Sequence, residues 1–100
     1  MRIAGFGNSG SVVICNQILI RGRVQNVGFR YFTFQTARML NLKGYVKNEL
    51  DGSVYIEVEG NEADMKTFIK TLKKGPSWAK IDKVYVSPIP VRGFKDFIVK

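Results

Sequence analysis

One hundred residues, 45% of them hydrophobic and 24% charged, suit a single globular domain with one two-layer core, not a disordered or fibrous chain. Histidine is absent and cysteine occurs once, at Cys15. This removes the usual imidazole base, any Cys-His dyad, an intrachain disulfide and the common zinc ligand sets. The net charge is +8, and residues 1–50 hold seven basic side chains against Glu49 alone, an excess that suits an anionic partner.

Met1 to Asn16 carry Gly5, Gly7 and Gly10 and no sustained apolar stretch, so residues 1–16 are expected to form a flexible arm ahead of a domain spanning 17–100. They make a poor signal peptide. With no apolar run near the ~20 residues of a membrane span, a cytoplasmic protein without a membrane partner is expected.

From Gln17 the chain is regular. Ile18, Ile20, Gly22 and Val24 alternate with Leu19, Arg21 and Arg23 as in a strand. Gln25 to Gly28 is a short polar loop, and Phe29 to Asn41 has helical spacing with Phe29, Thr33, Ala37 and Leu40 on one face. Lys43 to Asn48 reads as a second strand. Asp51-Gly52 gives a hairpin turn, and Val54, Ile56 and Val58 alternate with Tyr55, Glu57 and Glu59 in a third strand. Asn61 is placed as an N-cap with Asp64 at the third helical position. Met65, Phe68, Ile69 and Leu72 mark the buried face of that helix, and Gly75-Pro76 ends it. Lys83 to Ser87 and Phe94 to Val99 complete the set. The order β-α-β-β-α-β with a terminal strand is the ferredoxin-like α+β plan, an antiparallel sheet with two helices on one face.

Two familiar patterns lack their context. Gly5 to Gly10 spells G-x-G-x-x-G, but only four residues precede it and β-branched Val12-Val13-Ile14 follow instead of a helix start. Cys15 and Arg21 spell C-x5-R, yet the residues between them read as strand, so their amides are committed to a ladder and cannot coil around phosphate. A buried or incidental thiol is expected at Cys15.

The segment Gly22-Arg23-Val24-Gln25-Asn26-Val27-Gly28-Phe29-Arg30 joins strand to helix through a tight loop. Successive N–H groups of such a loop, together with a helix start, form a concave anion site. Arg30 lies at the base of that helix, where its fork can grip two phosphoryl oxygens. A second segment, Gly44-Tyr45-Val46-Lys47-Asn48, is followed by Gly52, Val54 and Gly60. The two segments resemble the two signatures of the acylphosphatases, small hydrolases of carboxyl phosphates. The likeness runs from about Gln17 to the C-terminus, including Leu72-x-x-Gly75-Pro76 and Phe97, and does not cover Met1 to Asn16.

That resemblance implies roles. Arg30 matches the phosphate-binding arginine, and Asn48 the asparagine that positions the attacking water. Gln25, Asn26, Val27, Gly28 and Phe29, with the Arg30 amide, match the phosphate cradle. Thr33 occupies a threonine position with a minor supporting role. It implies a monomer that takes a small acyl phosphate, releases inorganic phosphate as product and competitive inhibitor, and needs no cofactor or metal. The chemistry agrees with the composition. A carboxylate leaves without a proton donor, so no histidine is required, and phosphoryl transfer asks mainly for positioning and charge stabilisation. Arg23 or Lys47 can add to the positive field. One residue departs from the family pattern: Asn26 stands where glycine is usual. Asn is the non-glycine residue best suited to a left-handed conformation, so the loop is expected to keep its shape.

Two other readings follow from the same plan. A regulatory phosphate-binding domain could use the loop without turnover. An RNA-binding module would need stacking aromatics on the open sheet face. The third strand offers only Tyr55 beside Glu57 and Glu59, which repel phosphate, and no RNP-like octapeptide occurs, so nucleic acid is not expected as a partner.

Overall fold

The computed structural model describes residues 12–100, and so most of the expected arm lies outside the described residues. Seven elements follow in order: β1 (Val13–Arg23), α1 (Phe29–Met39), β2 (Lys43–Asn48), β3 (Val54–Asn61), α2 (Glu62–Lys74), β4 (Lys80–Ile89) and β5 (Phe97–Val99). β1 starts four residues before Gln17, because Val13 to Asn16 pair with Asn61 to Val58 of β3. β4 is longer than Lys83–Ser87 at both ends, since its whole length pairs with β1.

The five strands form one sheet in the order β4-β1-β3-β2-β5. β1 pairs antiparallel with β3 and β4, and β2 antiparallel with β3. β5 differs from the expected all-antiparallel arrangement: it runs parallel to β2, with Gly44, Tyr45 and Val46 opposite Phe97, Ile98 and Val99. β4 ends at one edge of the sheet and β5 begins at the other, so residues 90–96 must cross before the chain turns back. Glu59 anchors that crossing. Its carboxylate accepts from the N–H groups of Arg92, Gly93 and Phe94 at 2.6–3.2 Å.

Both helices lie on one face. Ile18, Ile20, Val46, Val54, Ile56, Val58 and Phe97 from the sheet meet Phe29 and Ala37 of α1 and Met65, Phe68 and Leu72 of α2 in a single buried cluster. Removing each of these larger side chains from water contributes about 1.5–3 kcal/mol. Ala37 is small enough to let α1 approach the sheet. Gly44 serves a different end, the close approach of β2 to β3, since a Cβ there would lie 1.9 Å from the Glu57 carbonyl oxygen. α2 begins as its sequence implies, with Asn61 Oδ1 accepting from the Asp64 N–H at 2.9 Å. α1 ends in a Schellman motif: Asn41 is left-handed (φ 56°), Leu42 N–H donates to Ala37 O and Asn41 N–H to Arg38 O.

The opposite face carries Tyr45, Tyr55, Glu57, Glu59 and Cys15. Burial alone would raise the Glu57 carboxyl. Hydrogen bonds from the Tyr55 and Tyr45 hydroxyls, and the Arg92 guanidinium 3.0 Å away, outweigh burial and hold it below the ordinary carboxylate value.

Candidate active site

The ends of β1 and β2, the start of α1 and the end of β5 meet at one rim of the sheet. A cavity of about 340 Å³ opens there, lined by Val24, Asn26, Gly28, Phe29, Arg30, Tyr31, Asn48 and Val99. Residues from both sequence signatures therefore share one space. Lys47 is not part of it. Its ammonium lies 3.5 Å from Glu49 and over the Tyr55 ring, on the open sheet face. Arg23 does not line the cavity either.

The loop is shaped by two left-handed residues. Asn26 has φ 62° and Gly28 has φ 79°, so Asn26 adopts the conformation expected of it. Gly28 is the N-cap of α1. It has no side chain with which to accept from the helix, and no acidic residue stands in the first turn. Phe32 N–H bonds back to Gly28 O, but the first helical N–H groups, those of Phe29, Arg30 and Tyr31, have no acceptor within the helix. Most helices fill this position with a Ser, Thr, Asp or Asn side chain. Here the donors and the positive end of the helix dipole are left open to an anion. The nearest atom to a Cβ built at Gly28 is Nε1 of Trp78, at 3.8 Å, so the chain's one tryptophan lies beside the loop.

Arg30 is steadied from far along the chain, its Nη1 donating to the Lys100 carbonyl oxygen at 2.6 Å. Asn48, the last residue of β2, is set by its pairing with Val54. Its Oδ1 is buried and has no hydrogen-bond partner among the described residues.

Of the expected site residues, Arg30, Asn48, Asn26, Gly28 and Phe29 line the cavity, whereas Gln25, Val27 and Thr33 do not. The Phe29 ring is buried in the core, so only its backbone faces the site. Val27 packs against the core. Gln25 turns away from the cavity, and its Nε2 donates to the carbonyls of Glu49 and Ser53, both at 2.8 Å. It thereby ties the anion loop to the hairpin that follows Asn48. Thr33 is fully buried one turn beyond Arg30, its hydroxyl without a partner among the described residues. Sequence reasoning missed Lys100, Tyr31 and Val99. Tyr31 had a local signal, an aromatic directly after Arg30. Lys100 and Val99, about seventy residues away, had none.

Among the described residues no group of three or more His, Cys, Asp or Glu side chains could hold a metal ion, and no helix is long and apolar enough to cross a membrane.

Comparison with known proteins bears on this geometry. The acylphosphatase family model matches residues 16–99. An acylphosphatase of Thermotoga petrophila is 44% identical over 84 residues, covering 84% of this chain and 93% of that protein. One of Archaeoglobus fulgidus is 42% identical over 87 residues, 87% of this chain and 98% of the other. The crystal structure of an acylphosphatase from Bacillus subtilis superposes with a TM-score of 0.85 at 35% identity, covering 87% of this chain and 98% of that one. The loop 25–28, Arg30 beside it and Asn48 in the same cavity are thus carried on the fold of these hydrolases, and the chain belongs to the acylphosphatase family, hydrolysing acyl phosphates to a carboxylate and inorganic phosphate.

Proposed function

We propose that hydrolysis proceeds by in-line attack of a water held by Asn48 on a phosphoryl group bound by Arg30 and the loop amides. The observation that carries this reading is the buried, unpartnered Oδ1 of Asn48 in the same cavity as Arg30. A buried acceptor without a partner is costly, and a water that donates to it offsets the cost while being held in place. Arg30 and the open amides at the start of α1 supply charge stabilisation where negative charge gathers on the phosphoryl oxygens. The leaving carboxylate needs no acid, and the attacking water can pass its proton to the phosphate. Asn26, Val27, Gly28 and Phe29 act through their backbone N–H groups, Gln25 holds the loop's shape, and Thr33 supports the helix behind Arg30.

The test is kinetic. Asn48→Ala should lose most turnover yet still bind inorganic phosphate, as read from Trp78 fluorescence, while Arg30→Ala should lower turnover by about 10³–10⁵-fold. Near-wild-type hydrolysis by either variant would sink the mechanism.

The same reading includes a cytoplasmic monomer, active without metal, that takes small phosphoanions and does not bind nucleic acid. In its favour, residues 92–94 are tied to Glu59 across the open sheet face, which an RNA-recognition domain keeps free for stacked bases. Sedimentation at working concentration tests the monomer. A salt-dependent mobility shift on single-stranded RNA would contradict the exclusion of nucleic acid.

A further inference from the structure

Glu59 lies on the open face of the sheet, five residues along β3 from Val54, which pairs with Asn48. At ~3.3 Å per residue this places it about 17 Å from the rim that carries the cavity. Hydrolysis has no use for a carboxylate there, yet Glu59 is only 6% exposed and both of its oxygens are engaged. Oε1 accepts from the N–H groups of Arg92 and Gly93 at 2.6 and 3.0 Å, and Oε2 from those of Gly93 and Phe94 at 3.1 and 3.2 Å. Gly93 is left-handed (φ 76°), which turns successive N–H groups toward one anion. Bonds to an ionised acceptor are roughly twice as strong as neutral ones. Two more ties fall on the same segment: Arg92 Nε lies 3.0 Å from Glu57 Oε1, and the Phe94 ring stands edge-on to Tyr45.

The strand that follows this crossing has little else to hold it. β5 is three residues long, and only Phe97 is buried. On its flanks Gly44 N–H donates to the Asp96 carbonyl and Lys100 N–H to the Val46 carbonyl, both at 2.8 Å. A short, half-exposed edge strand belongs to the low end of local stability and can open while the rest of the domain stays folded. What β5 carries into the site is the Lys100 carbonyl that holds Arg30. Opening of β5 therefore frees the Arg30 side chain, and the Glu59 anchor opposes that opening.

We infer that Glu59 is a positioning residue for Arg30, acting through the crossing 92–94, β5 and Lys100. The inference rests on Arg30 binding the phosphoryl group. The coupling needs one two-state element, β5 closed or open, whose equilibrium both sites bias. Such coupling is reciprocal, so an anion bound at Arg30 also tightens the crossing against Glu59.

The experiment measures Ki for inorganic phosphate in the wild type, Glu59→Gln, Met65→Ala and Arg30→Ala at a temperature where all are folded. It adds amide hydrogen exchange at residues 92–94 of the wild type, with and without phosphate. Glu59→Gln leaves one acceptor oxygen for three donors and should raise Ki about three- to tenfold. Met65→Ala opens a cavity beneath α2, on the other face of the sheet, and lowers stability; its Ki should stay at the wild-type value. Saturating phosphate should slow exchange at Gly93 and Phe94 by a similar factor, beyond any slowing in β4. An unchanged Ki in Glu59→Gln, or an equal rise in Met65→Ala, overturns the positioning role. Should Glu59→Gln fail to fold, exchange at 92–94 that phosphate leaves unchanged overturns it. An unchanged Ki in Arg30→Ala overturns instead the phosphoryl reading on which it rests.

Discussion

The Arg30 guanidinium and the Lys100 carbonyl oxygen, seventy residues apart in sequence, are joined by a 2.6 Å hydrogen bond. That bond fixes one edge of the guanidinium fork, and the other edge is the one the proposed mechanism gives to a phosphoryl group. Without it, a long side chain at a helix start would sample many rotamers, and binding an anion would have to order them.

Deleting Lys100 should therefore weaken phosphate inhibition about tenfold, the low end of what a hydrogen bond to a charged group contributes (~1.5 kcal/mol). The thermal midpoint should fall as well, because the deletion also removes the Lys100 N–H bond to the Val46 carbonyl and the ammonium above the Tyr45 ring. Measuring Ki for phosphate alongside a thermal melt separates the two effects; an unchanged Ki would show that Arg30 holds its place unaided.

Asn26 occupies a left-handed conformation at φ 62°. Glycine adopts it without strain, whereas a β-branched residue does not. Asn26→Gly should fold with stability within about 0.5 kcal/mol of wild type and equal or higher activity, while Asn26→Val should lose ~1–2 kcal/mol. Urea unfolding and acyl phosphate hydrolysis provide the check. A large loss of activity in Asn26→Gly would reveal a role for the Asn26 side chain itself.

Gln25 bonds to the carbonyls of Glu49 and Ser53 and so sets the distance between the anion loop and Asn48. Gln25→Ala removes both side-chain bonds while Glu49 O keeps the Gly52 N–H and Ser53 O the Glu49 N–H, so the cost is the net worth of two hydrogen bonds, roughly 1–3 kcal/mol. Turnover should fall more steeply than phosphate affinity, since the loop survives while its alignment with the attacking water is lost. Equal losses in both would assign Gln25 to substrate binding instead.

Cys15 is buried on the sheet face opposite the helices. Burial first, then the nearby Glu59 and Glu57 carboxylates, push its thiol up to about 11. The native protein should thus react slowly with a disulfide reagent at pH 8 and quickly once unfolded in guanidinium. Because the folded value is raised, the unfolded state releases this proton first as pH climbs through about 9. Stability should therefore decline above that pH, and Cys15→Ala should flatten the decline.

The sequence by itself determined every element that depends on near neighbours. The alternation in β1 and β3, the Asn61 cap and the left-handed tolerance of Asn26 are all local, and so was the placing of Arg30 beside the loop 25–28. Asn48 was legible only through the resemblance of its segment to the second acylphosphatase signature, and the fold brings it to the cavity that Arg30 lines. The tertiary structure alone decided which way β5 runs. Three residues, Phe97 to Val99, carry too little pattern to show direction, and the connection 90–96 could turn back or cross. It crosses because the Glu59 carboxylate collects three of its N–H groups. The open edge of β2 then accepts β5 in parallel. Only that direction brings Val99 and Lys100 to the rim where β1 and β2 end, so the support of Arg30 and the place of Val99 in the cavity are properties of the assembled sheet and of no single segment.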